Sequence, residues 1–221
     1  GDAFSKLGKY DKATQTYREL LAHFKRYSSG DSLKMAHAYQ KLGENFRLAG
    51  KYDSALHYLE KAMIVGGMKN TIRPGIAKVH ADKEDLGSAI AEMEKVVYGT
   101  EKPDENQMAW ASLFKDKHSG YQHCRQLADY ALRQYEVNGD VGLLEQSIAF
   151  ANLSDTLIRQ YRDATLIGVD EARMGKDYRD IANIGIQATF LSIENKKIPD
   201  HTSDMVKFFA YSSAFKLGAE V

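Results

Sequence analysis

A chain of 221 residues with 30 basic and 30 acidic side chains carries no formal net charge, so no global field draws it to nucleic acid or to an anionic membrane surface. Its 43% apolar residues, three prolines and single cysteine, Cys124, describe an ordered chain without an internal disulfide, as expected in a reducing, cytoplasmic compartment. The most apolar stretch, 143–157, is interrupted by Glu145, Gln146, Asn152 and Asp155, so membrane insertion is not expected.

The tetrad Gly8-Lys9-Tyr10-Asp11 returns unchanged as Gly50-Lys51-Tyr52-Asp53, and each copy leads into a segment of helical periodicity. A recurrence of this length marks a stack of helical units, because one unit cannot bury its apolar face without a neighbour. Residues 1–7 read as the second half of a helix, with Phe4 where the next copy has Phe46. Together with a first residue that is not Met, this predicts an excised piece of a larger protein.

In chain order, the small alanines Ala13, Ala55 and Ala89 lie 42 and then 34 residues apart. The first unit places Tyr10, Ala13, Tyr17 and Leu20 on its second helix, and Tyr27-Ser28-Ser29-Gly30-Asp31-Ser32 reads as a loop. The middle unit has Tyr39, Leu42, Gly43 and Phe46 on helix A, a turn at Gly50, and Ala55, Leu59 and Ala62 on helix B. Gly43 and Ala55 lack bulk where the two helices must cross, and the larger residues fill the space on either side. The third unit has Ile76, Ala77 and His80 on helix A, with Pro74 in its first turn, and Leu86, Ala89, Met93 and Val96 on helix B.

After a polar loop at 99–105, residues 107–138 read as one or two helices carrying Trp110, Leu113, Phe114, Tyr121, Leu127, Tyr130, Ala131 and Tyr135. Asn138-Gly139-Asp140 breaks them. A helix over 142–161 carries the stripe Leu144, Ser147, Ile148, Ala151, Ser154 and Ile158, and another over 171–195 carries Met174, Tyr178, Ile181, Ile184 and Ala188. A last amphipathic segment, 203–217, holds Phe208, Phe209, Tyr211 and Phe215, and its apolar side is expected to cap the stack or to face a further domain.

On these residues the first 98 positions resemble tetratricopeptide repeats, whose usual length is the second alanine interval. The resemblance implies an all-α, tetratricopeptide-type helical-repeat superhelix of about ten helices. Residues 130–169 resemble the last repeat of bacterial proteins in which such repeats precede a CHAT peptidase domain. Tyr135, Gly139-Asp140, Leu144-Glu145, Phe150-Ala151, Ser154 and the segment 157–163 carry that likeness. It brings no catalytic residue, because the CHAT histidine and cysteine lie in a domain beyond the repeats. The expected organisation is 1–100 as tetratricopeptide repeats with a truncated first one, 101–170 as longer, divergent repeats, and 171–221 as capping helices.

Candidate chemistry is sparse. His118, His123 and Cys124 match no zinc spacing and have no second ligand pair, so no metal site and no cofactor is expected. Val65-Gly66-Gly67-Met68 follows a helix, where a phosphate loop would precede one. Carboxylate pairs such as Asp11 with Glu19, or Glu84 with Asp85, read as solvated helix surface. Attention falls on the concave face, where His37, Gln40, Glu44 and Arg47, then Thr71, Lys78 and Asp82, are expected to meet a peptide or protein partner. Glu44 takes the place of an asparagine that repeat proteins use to clamp a chaperone's terminal carboxylate, and would repel that ligand.

The sequence therefore predicts a non-enzymatic, protein-interaction or regulatory module of a larger bacterial protein. One alternative is the sensor segment of a signalling kinase or transcription regulator. Another, of a different class, is a stand-alone cysteine hydrolase using Cys124 with His118 or His123.

Overall fold

The computed structural model describes residues 1–27, 31–99, 114–164, 171–194, 203–204 and 206–208. The helices are α1 (Asp2–Lys6), α2 (Tyr10–Tyr27), α3 (Ser32–Leu48), α4 (Tyr52–Gly66), α5 (Lys69–Asp82), α6 (Leu86–Val97), α7 (Lys117–Asn138), α8 (Val141–Ala164) and α9 (Glu171–Glu194). No strand occurs among the described residues. The chain forms two compact units, Gly1–Val96 and Val97–Val221.

In the first unit the repeated tetrad builds the same turn twice. Gly8 and Gly50 take left-handed φ values of 69° and 70°, a conformation that costs glycine little. Lys9 N donates to Phe4 O at 2.8 Å and Gly8 N to Ser5 O at 3.0 Å; a repeat later, Lys51 N donates to Phe46 O and Gly50 N to Arg47 O, both at 2.9 Å. The third copy keeps the geometry without the glycine. Glu84 takes φ 64°, and Asp85 N and Glu84 N donate to His80 O and Ala81 O at 2.9 and 3.0 Å. There Asp85 caps α6 by accepting from Ser88 N at 3.1 Å.

Helices α3 and α4 cross at Gly43, where an added Cβ would lie 2.6 Å from Leu59 Cγ and 3.1 Å from Ala55 O. The alanines that head each helix B, Ala13, Ala55 and Ala89, are all completely buried. Around the crossing, Leu42, Leu59, Ile72, Tyr39 and Phe46 form one core, and burial of each large aliphatic side chain contributes about 1.5–3 kcal/mol. Tyr58 stacks on Phe46 with ring centroids 5.2 Å apart.

The second unit is built from longer helices. Asp116 caps α7, accepting from His118 N and Ser119 N at 3.0 and 3.3 Å, and Gly139 ends it at φ 69°. Two buried serines of α8 reach across to carbonyls of α7: Ser147 Oγ donates to Ala128 O at 2.9 Å and Ser154 Oγ to Tyr121 O at 2.7 Å. Helix α9 packs on this pair, with Ala188 joining Leu132, Leu144 and Ile148. Phe208 is buried against Gly185, where an added Cβ would overlap the ring.

Two expectations are corrected. Pro74 lies inside α5, which begins at Lys69. Gly67 ends α4 in the left-handed conformation, the amides of Thr71 and Ile72 bond to Met68 O, and complete burial of Ile72 holds the early turn that carries the proline's missing donor. Phe4 does hold the place of Phe46, accepting from Lys9 N as Phe46 accepts from Lys51 N, although Phe4 is 36% exposed and Phe46 7%. The loop predicted around Tyr27 and Ser32 is shorter: Tyr27 is the last residue of α2 and Ser32 the first of α3, because Asp31 supplies the cap by accepting from Lys34 N. Trp110 and Leu113, the loop residues 100–105 and the aromatic positions 209, 211 and 215 lie outside the described residues.

Candidate interaction face

Helices α3 and α5 are the A helices of consecutive repeats, and residues 37, 40, 44 and 47 share one face of α3 by their spacing. The structure draws three of the seven candidate residues into direct contact. Arg47 clasps Glu44 through two bonds, Nη2 to Oε1 at 2.7 Å and Nε to Oε2 at 3.0 Å, and reaches across to α5 with Nη1 to Asp82 Oδ2 at 2.5 Å. Bidentate geometry of this kind fixes orientation as well as charge. Burial pushes the Glu44 carboxyl up, but the bonds and charge of Arg47, helped by Lys78 and Lys41, outweigh it and hold the group below its ordinary range. The same bonds raise the Arg47 guanidinium further.

Lys78 thus joins the group electrostatically and is exposed. His37 and Thr71 are exposed and Gln40 half-buried; they are unconsumed polar groups on the same two helices. Arg47 is already engaged by two carboxylates.

Sequence reasoning missed the polar interlock beside this face. Asn45 is 1% exposed, accepts from Ser5 Oγ of α1 at 2.6 Å, and donates to Tyr10 O at 3.0 Å and Thr14 Oγ1 of α2 at 2.8 Å. Asp2 accepts from Tyr17 Oη and from Lys41 Nζ; those bonds lower the Asp2 carboxyl, while burial and the Asp2 contact push the Tyr17 phenol up to about 12. A signal was legible: an asparagine flanked by Leu42 and Phe46 on a helix's inward face needs polar partners there. In the second unit α7 and α9 are tied in a similar way, with Arg125 Nη1 to Asp180 at 2.9 Å and Tyr121 Oη to the buried Asp177 at 2.8 Å.

Cys124 is completely buried, and desolvation pushes its thiol far above the ordinary value. A thiol held this way is poorly disposed to form the thiolate that the cysteine-hydrolase alternative needs. His118 packs its ring against Tyr121 and Tyr161 at 5.4 and 5.1 Å. No group of three potential metal ligands gathers among the described residues, and no described helix is long and apolar enough to cross a membrane.

The tetratricopeptide repeat family model matches residues 1–63. Among solved structures, the nearly identical TPR-like repeats assigned to a kinesin light chain of Podosopora anserina superpose with a TM-score of 0.58 at 13% identity, over 99% of this chain and 92% of that one. A variant form of the same repeats gives 0.59 with the same identity and coverage. BtubC (BKLC) from P. vanneervenii gives 0.58 at 16% identity, over 97% of this chain and 75% of that one. The fold is of the tetratricopeptide type. At these identities the likeness bears on fold alone, and no curated protein matches the chain by sequence.

Proposed function

We propose that this chain is a non-catalytic protein-interaction module that holds a peptide or protein segment along the A-helix face of α3 and α5. Repeats of the tetratricopeptide family bind protein or peptide partners, and their match covers residues 1–63. The observation that carries the reading is the Glu44–Arg47–Asp82 cluster. It fixes two consecutive A helices to each other and leaves His37, Gln40, Thr71 and Lys78 presented beside it. A rigid scaffold with unconsumed polar groups binds with little ordering cost.

The finer reading is of a regulatory arm within a larger bacterial protein of the cytoplasm, with 1–100 as the repeats, 101–170 as their divergent continuation and 171–221 as a cap. Its placement ahead of a CHAT peptidase domain rests on the likeness of 130–169 alone. Coding sequence beyond Val221 tests that placement: a following domain with a histidine and cysteine dyad supports it, and a kinase or DNA-binding domain supports the signalling alternative instead.

The interaction itself is tested by selecting a binding peptide from a random library on the folded chain and measuring its affinity for Gln40→Ala and Lys78→Glu. Loss of about tenfold or more in either variant supports the A-helix face. Equal affinity in both would remove it.

A further inference from the structure

Helix α2 is longer than its repeat counterpart α4, which ends at Gly66 with Gly67 in the left-handed conformation. In the 42-residue alignment Lys25, Arg26 and Tyr27 continue α2 over the positions where α4 has stopped. That added turn buries little: Tyr27 is 68% exposed, and Leu20, on the same helical face seven residues earlier, is 40% exposed. Between them the His23 ring packs tilted against Tyr27 with ring centroids 4.9 Å apart, and the Arg26 guanidinium lies 6.0 Å from the Tyr27 ring centroid. The stripe therefore has a pre-ordered aromatic with a cation over it, the composition that dominates protein interfaces.

Its charge is unbalanced within a neutral chain. Over 18–34 the basic residues are Arg18, Lys25, Arg26 and Lys34 and the acidic ones Glu19 and Asp31, a local excess of two positive charges. Asp31 is held by Lys34 at 2.7 Å and Glu19 accepts from Gln15. Cations at a helix C-terminus offset the dipole there, which accounts for Lys25 and Arg26 but not for the exposed Tyr27 and Leu20. We infer that the outward stripe of α2, Leu20, His23 and Tyr27 flanked by Lys25 and Arg26, is a second docking surface, distinct from the A-helix face, for an acidic protein segment carrying apolar side chains. Two excess charges on a compact apolar stripe fit alternating carboxylates and aliphatic groups; a nucleic-acid site tracks many phosphates with many cations.

The probe is a fluorescein-labelled peptide of repeated Glu-Glu-Leu-Leu units, titrated against the full chain by fluorescence anisotropy, with a repeated Gln-Gln-Leu-Leu peptide as its neutral counterpart. Saturable binding of the acidic peptide is expected, weakened about tenfold by the double variant Lys25→Glu/Arg26→Glu and about fivefold by Tyr27→Ala, and not reproduced by the neutral peptide. These side chains are exposed, so the melt of Tyr27→Ala should match the parent, and the double variant should lose only the small helix-end contribution of its two cations. Absence of saturable binding, or affinity unchanged in both variants, would overturn the inference. So would a single-stranded oligonucleotide of equal charge binding as tightly, which would make the stripe a reader of charge alone.

Discussion

The two units hold their helices together by different means. In Gly1–Val96 the crossing of α3 and α4 depends on missing atoms: Gly43 has no side chain, Ala55 almost none, and Leu59 fills the space they leave. In Val97–Val221 the crossing of α7 and α8 depends on added polar atoms, with Ser147 and Ser154 donating into carbonyls of the facing helix and Tyr121 reaching Asp177 of α9. Close packing tolerates no enlargement, whereas a buried polar contact tolerates no loss of its partner. These two helix crossings therefore fail under opposite kinds of substitution.

The sharpest way to break this contrast is enlargement at the first crossing. Gly43→Leu is expected to destabilise the first unit by about 3 kcal/mol, and Ala55→Leu by about 1–3 kcal/mol, while hydrogen exchange across α7 and α8 stays unchanged. Protection lost equally in both units would show that the two do not respond separately. Next comes removal of a donor in the second unit. Tyr121→Phe leaves Asp177 buried without its hydroxyl partner and should cost about 2 kcal/mol, read as a lower midpoint in urea with α3 and α4 unaffected.

A smaller effect, of opposite sign, tests the turn rule. Glu84 occupies the left-handed position that Gly8 and Gly50 fill in the earlier copies, so Glu84→Gly should stabilise the first unit by up to about 1 kcal/mol. A lower melting temperature for that variant would mean that Glu84 does more than complete a turn.

The smallest effect is electrostatic. Despite burial, which pushes it up, the Glu44 carboxyl is held below its ordinary value of 4.5 by Arg47. A carboxyl whose folded value is depressed contributes stability that is fully present above the unfolded value and is lost as pH falls through the folded one. Glu44→Gln should therefore flatten the fall in melting temperature below about pH 4.5 and change its slope little at neutral pH. An identical acid limb in parent and variant would deny the pair its role in joining α3 to Asp82.

What is legible in the sequence follows the same division. Gly50, Gly43, Ala55 and Leu59 announce a turn and a crossing because each answers a steric demand that few residue types can meet, and their recurrence repeats the signal. The Arg47 cluster is half legible: spacing places Glu44 and Arg47 on one face, but only the stacked geometry brings Asp82 from 35 residues away to the same guanidinium. For Asn45, Ser147 and Ser154 the sequence marks only a polar residue on an inward face, and the bonds themselves, like that of Asp177, leave no such mark. A buried polar residue is identified by its partner, and these partners, Ser5 and Thr14, Ala128, and Tyr121, lie far away in the chain. Pro74 departs from expectation because a proline rule favours the first turn, while tertiary burial of Ile72 carries α5 further back.

The interaction face is tested most directly by hydrogen exchange on the chain with and without the library-selected peptide. The account predicts added protection on α3 and α5 around Gln40, Glu44 and Lys78, abolished by Lys78→Glu. Protection confined to α7 and α8, or unchanged by that variant, would contradict it.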